Sequence, residues 1–298
     1  MSPRTTARRF TAAALGFAGV LSFAASPAHA APAGLADRYV ALGDSFTAGP
    51  LVPPPTGEPA LCLRSGANYP ALVAEALGAG EFTDVSCSGA VTDDMTAPQQ
   101  FPGPDNPAQF DALAPDTTLV SLQIGGNDFG FVEILLKCAA LSATDPEGGP
   151  CAEYYTRDGD ELAARVDETA ARVAEVLDGI GERSPDATVA VVGYLQILPE
   201  SGGCWPEVPI AGEDVAYLDG AQTDLNAAIA KEAADAGAVF VDVMERGHDV
   251  CADNADKWVE GIFPSQAAAP VHPNADGMAE AGARVVTALG GGEPAPQV

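Results

Sequence analysis

Short apolar runs alternate along the chain with longer stretches whose apolar positions recur every three or four residues. Residues 39–42, 83–87, 119–124, 188–193 and 238–243 are rich in valine and bounded by Gly, Pro or Asp. Several are apolar at successive positions, as strands covered by helices on both faces should be. Between them, residues 69–77, 160–183, 214–236 and 275–289 carry the helical period, and Pro185 and Gly237 stand where two of these helices should stop. Strand alternating with helix predicts an α/β fold with a parallel sheet between two helix layers. In such a sheet, functional groups belong in the loops at the carboxyl ends of the strands.

The amino terminus departs from this pattern. Arg4, Arg8 and Arg9 precede an apolar run over residues 10–25, and Ala28-His29-Ala30 has the small-x-small form of a signal-peptidase site. The run of about sixteen residues is shorter than the roughly 20 of a spanning helix, and no basic stop-transfer patch follows. The expectation is a signal peptide over 1–30, a secreted, extracellular product over 31–298, and no stable membrane insertion. No long linker or repeat divides the remainder, so one domain with its core at about 37–290 is expected.

Charge narrows the partners. The chain has 14 basic and 42 acidic residues, a net charge of −28, and removal of the leader takes three arginines and no acid with it. Such a surface repels phosphate backbones, so nucleic acid is a poor partner. Six cysteines in an exported chain suggest disulfides, and fifteen pairings are formally possible. Pairing neighbours in order gives Cys62–Cys87, Cys138–Cys151 and Cys204–Cys251, each closing a Gly- and Pro-rich excursion. No Cys/His cluster suggests zinc.

The predicted strands end on chemistry. Gly43-Asp44-Ser45-Phe46 follows the first, Ser88-Gly89-Ala90 the second and Gly125-Gly126-Asn127-Asp128 the third, while Val271-His272-Pro273-Asn274 precedes the last helix. Four blocks in this order resemble the SGNH (GDSL-type) hydrolase family, specifically its secreted actinobacterial lipases and esterases. The segments 62–65 and 68–70 and the six-cysteine layout are similar to the same subgroup. The resemblance runs from Tyr39 to the last helix. It implies a three-layer α/β/α sandwich with a mostly parallel five-stranded sheet of flavodoxin-like order.

The resemblance also implies roles. Ser45 would be the nucleophile and His272 the base that accepts its proton, since a neutral serine is a weak nucleophile. The backbone N–H groups of Ser45 and Gly89 and the Asn127 amide would hold the oxyanion. A glycine at 89 lets the backbone approach a substrate unobstructed. Where the family often has an acid three residues before the histidine, this chain has Ala269. A Ser45–His272 dyad is therefore expected, with a carbonyl from the 269–270 segment orienting the ring; an Asp from a distant loop is the alternative. His248 reads as structural or surface-exposed, Asp44 as a turn or helix-capping group, Asp128 as a loop-holding acceptor, and Asp93 and Asp94 as solvated. Leu51, Val52, Phe101, Phe129, Phe131 and Val132 are either acyl-groove residues or ordinary packing.

The implied reaction is hydrolysis of carboxylic esters, fatty acyl esters foremost, without metal or organic cofactor. Phospholipid and then acetylated carbohydrate are the alternative substrates, and a catalytically inactive exported binding protein is the alternative class. A disulfide-stapled monomer is the expected state.

Overall fold

The computed structural model of the protein describes residues 1–2 and 34–290. The predicted leader therefore lies outside the described residues except for its first two. Strands β1 (Arg38–Gly43), β2 (Glu81–Asp84), β3 (Leu119–Gln123), β4 (Thr188–Val192) and β5 (Val239–Val241) form one sheet in the order β2-β1-β3-β4-β5, with every pairing parallel. The sheet grows outward in both directions from the β1–β3 pair. Right-handed crossovers then place α2 (Tyr69–Leu77) on one face, and α6 (Glu161–Arg183) and α7 (Gly212–Asp235) on the other. The final helix, α8 (Ala275–Ala288), packs against α2, and α6 packs against α7, completing a layer on each side.

Burial explains the apolar runs. All five residues of β3 are buried, as are Val40, Ala41 and Leu42 of β1. The second strand departs from the expected 83–87 because it is an edge. Its Asp84 carboxylate accepts the Ser86 N–H and hydroxyl at 2.9 and 2.6 Å on the open side, while Val85 and Cys87 N–H still donate to the Ala41 and Gly43 carbonyls of β1. Two helices that the pattern did not indicate follow β3: α4 (Phe131–Ser142) and α5 (Pro150–Tyr155). Their short periodicity lies between Gly-rich segments and reads locally as loop. Disulfides join Cys138 of α4 to Cys151 of α5, Cys62 to Cys87, and Cys204 to Cys251.

The end of β1 is held with unusual completeness. The Gly43 N–H donates to the Gln109 side-chain oxygen at 2.8 Å, and the Gln109 amide returns a bond to the Gly43 carbonyl at 2.9 Å. Only glycine fits there. A Cβ on residue 43 would stand 2.1 Å from Thr47 Oγ1 and 2.6 Å from the Gln123 carbonyl oxygen. Gly43→Ala must push β1 from β3 or displace the turn after it. We expect a stability loss of about 1–3 kcal/mol in denaturant unfolding, with lower activity per folded molecule.

Candidate active site

At the carboxyl end of β1 the chain turns at once into a one-turn helix, α1 (Ser45–Ala48), whose N-cap is Asp44. Asp44 Oδ1 accepts the Phe46 N–H at 2.9 Å, and Gly49, at φ 69°, closes the helix in the left-handed conformation. Ser45 thus sits at the first helical position, 8% exposed. Asp44 is the capping group that the sequence suggests, and it is also buried. Burial pushes its carboxyl up to about 7, against the Tyr194 hydroxyl and the Phe46 N–H, which favour the carboxylate.

His272 reaches Ser45 from the far end of the chain. Its Nε2 lies 2.8 Å from Ser45 Oγ, and its Nδ1 lies 2.8 Å from the Pro270 carbonyl oxygen. A carbonyl can only accept, so Nδ1 carries the proton and Nε2 is left free to accept the serine proton. No carboxylate bonds to this ring among the described residues. The loop is held instead by its backbone: Ala269 N–H donates to the Pro50 carbonyl, and Glu260 exchanges bonds with Val271 N–H and the His272 carbonyl. Val271 takes a left-handed φ of 59°, a costly conformation for a β-branched residue, and this turns the Pro270 carbonyl back toward the ring. Glu260 is fully buried, and its carboxylate accepts from Ser265 and from Asn274, the N-cap of α8. Nothing in the local sequence around Glu260 marked it as part of this support.

From β3 the chain enters another one-turn helix, α3 (Gly126–Phe129). Asn127, its second residue, donates one amide N–H to the Ala90 carbonyl at 2.8 Å. That bond ties α3 to the loop carrying Gly89, which is exposed with φ 80° and stands two residues beyond the Cys62–Cys87 bridge. Among the described residues, no protein acceptor takes the N–H of Ser45 or Gly89. Asp128 accepts the Thr92 N–H and hydroxyl, anchoring the neighbouring loop. Asp94 is less solvated than its sequence suggests, because its carboxylate turns inward to the Val91 N–H. His248 stacks flat on Trp258, with ring centroids 3.8 Å apart, and its Nδ1 faces the Asp256 carbonyl.

Ser45, Asn127 and His272 open onto one cavity of about 280 Å³. Its walls are almost wholly apolar, with Phe131, Leu135, Ile197, Ile210, Val250 and Ile262 prominent among them. Of the groove candidates in the sequence, Phe131 and Val132 line it. Leu51 and Val52 border a separate surface depression, Phe129 is buried in the core, and Phe101 packs partly buried against the core. The far wall comes from segments flanking the Cys204–Cys251 bridge, which local sequence could not bring to the site.

Residues 41–280 match the profile of the GDSL-like lipase/acylhydrolase family. The chain belongs to that family. It is similar to a lipase of Streptomyces coelicolor, with 38% identity over 97% of this chain and 99% of the relative. Among solved structures, an extracellular lipase from Streptomyces rimosus superposes with a TM-score of 0.65 at 30% identity, covering 84% of this chain and 98% of that one. A phospholipase A1 from Streptomyces albidoflavus gives a TM-score of 0.63 at 30% identity, covering 84% and 97%. This GDSL-like protein is a carboxylic ester hydrolase of the lipase/esterase type.

Burial lowers the His272 pKa from the ordinary 6.5, opposed by the Pro270 carbonyl. Burial disfavours the imidazolium, so the ring stays neutral and able to accept a proton down to a pH below that value. In an NMR titration the His272 Cε1–H resonance, assigned with His272→Gln, should have its midpoint below 6.5. A midpoint above it would mean that the site favours the cation.

Proposed function

We propose that this protein is a secreted esterase or lipase that hydrolyses fatty acyl esters through an acyl-enzyme on Ser45. The observation that carries the reading is the Ser45 Oγ–His272 Nε2 contact of 2.8 Å at the mouth of an apolar cavity. Ser45 attacks the ester carbonyl while His272 takes its proton, and the Pro270 carbonyl holds the tautomer that makes this possible. Negative charge grows on the carbonyl oxygen as it becomes tetrahedral. The unpartnered N–H groups of Ser45 and Gly89, and the second N–H of the Asn127 amide, are the donors that meet it. His272 then protonates the departing alcohol and activates the water that releases the acid.

The cavity wall has no lysine or arginine, and its ionisable members are Asp44, Tyr194 and His272. An uncharged acyl chain suits it, and its walls give a phosphate headgroup no cationic partner. Phospholipid therefore ranks second despite the phospholipase A1 relative, and acetylated carbohydrate third. The three disulfides and the extracellular Streptomyces rimosus relative support export of the mature chain.

Hydrolysis of p-nitrophenyl esters from acetate to palmitate tests the reading. Turnover should favour acyl chains longer than acetyl, and Ser45→Ala should lower it by about 10⁴-fold or more. Asn127→Ala should lower kcat by about 10²–10³-fold with little change in KM. Ile210→Trp, which fills the cavity, should shift preference toward short chains. A chain-length profile unmoved by that substitution would place the acyl group elsewhere.

A further inference from the structure

The two one-turn helices that carry Ser45 and Asn127 leave different strands, and neither is long enough to hold its own position. A third strand end joins them. Tyr194 lies two residues beyond β4, fully buried, and its hydroxyl donates to Asp44 Oδ2 at 2.6 Å while accepting the Gly126 N–H at 2.6 Å. Asp44 is the cap of the Ser45 helix, and Gly126 is the first residue of the Asn127 helix. One oxygen atom therefore spans both. A Cβ on Gly126 would stand 3.0 Å from the Tyr194 ring, so glycine allows this approach.

Tyr194 is itself immobilised. Its N–H donates to Asn226 Oδ1 at 2.8 Å and its carbonyl accepts the Asn226 amide at 2.9 Å, fastening it to α7. Its ring packs edge-on against Phe46, 5.2 Å between centroids, and against Phe131, 5.4 Å away. Phe46 in turn lies 5.3 Å from the His272 ring. The hydroxyl is the one polar atom of Tyr194 that points from this anchor to the reacting groups.

We infer that Tyr194 is a positioning residue, whose hydroxyl sets the distance between the Ser45 nucleophile and the Asn127 oxyanion donor. The inference rests on the roles proposed above for Ser45 and Asn127. Loss of the hydroxyl leaves the ring, and hence the acyl cavity wall, in place. Substrate binding is then retained while the two helices lose their common support. The defect belongs in the chemical step, where a displacement of tenths of an ångström weakens oxyanion stabilisation.

The test compares parent, Tyr194→Phe, Asp44→Asn and the double variant on p-nitrophenyl butyrate, with active sites counted by a fluorophosphonate probe and Ser45→Ala as the blank. Per titrated site, Tyr194→Phe should lower kcat by about 10–100-fold with KM within about threefold. Asp44→Asn, which keeps shape and removes the charged acceptor, should fall in the same range. The double variant should be no worse than the poorer single one, since both break one link. A kcat within about twofold of the parent, with only the melting temperature reduced, would make Tyr194 merely structural and overturn the inference. If Tyr194→Phe does not fold and binds no probe, Asp44→Asn decides by the same criterion. Absence of Ser45-dependent turnover in the parent overturns both this inference and the proposed function. Parent turnover with unaltered variants overturns the inference alone.

Discussion

The hydrogen bond of 3.0 Å from the Asp44 N–H to the Gln123 carbonyl closes the β1–β3 pair at its carboxyl end, and the site is organised from there. In the parallel register Gly43 stands opposite Gln123, so both strands stop at one level and release their chains side by side. One chain carries Ser45 and the other Asn127. The strand order changes direction between β1 and β3, so the helices on either side diverge and leave a crevice above the pair. The cavity occupies that crevice. A residue with a side chain at position 43 would separate the strands, because Thr47 and the Gln123 carbonyl already fill the space.

Around this centre, polar groups are buried in reciprocal pairs. Gln109 answers both backbone groups of Gly43, Asn226 both of Tyr194, and Gln222 both the Leu195 carbonyl and the Ile197 N–H. Each supplies an amide at or just beyond a strand end. An unmet buried backbone group costs on the order of 1–3 kcal/mol, so such side chains are obligatory once the loops are drawn inward. The consequence is a site assembled from loops whose buried backbone groups are bonded as those of strands are.

The histidine loop solves a different problem. Without an acid beside the ring, orientation comes from a carbonyl that the protein must itself hold in place. The left-handed Val271 aims the Pro270 carbonyl, and the backbone of Glu260 fixes the residues on either side of it. The carboxylate of Glu260 is spent on Ser265 and Asn274, not on the imidazole. A neutral acceptor stabilises an imidazolium less than a carboxylate does, which agrees with a ring whose pKa burial drives down.

Much of the architecture was legible in the pattern of apolar positions, because strands under two helix layers and long amphipathic helices write their periods locally. The residue types at the strand ends were legible for the same reason: Gly43-Asp44-Ser45 and Gly126-Asn127 lie where a turn and a reactive group coincide. Helix α4 was not, since its brief period lies between Gly-rich segments. The edge strand starts earlier than its apolar run, because one side of it faces no further strand and its exposed residues 81–83 carry no apolar pattern. What only the tertiary structure decided are the contacts between remote segments. Ser45 meets His272 across 227 positions and Asp44 meets Tyr194 across 150, while the cavity wall joins α4 to segments near residues 197, 210, 250 and 262. Local sequence encodes periodicity and turn chemistry. It carries no measure of which distant side chains the sheet order will bring within hydrogen-bond reach.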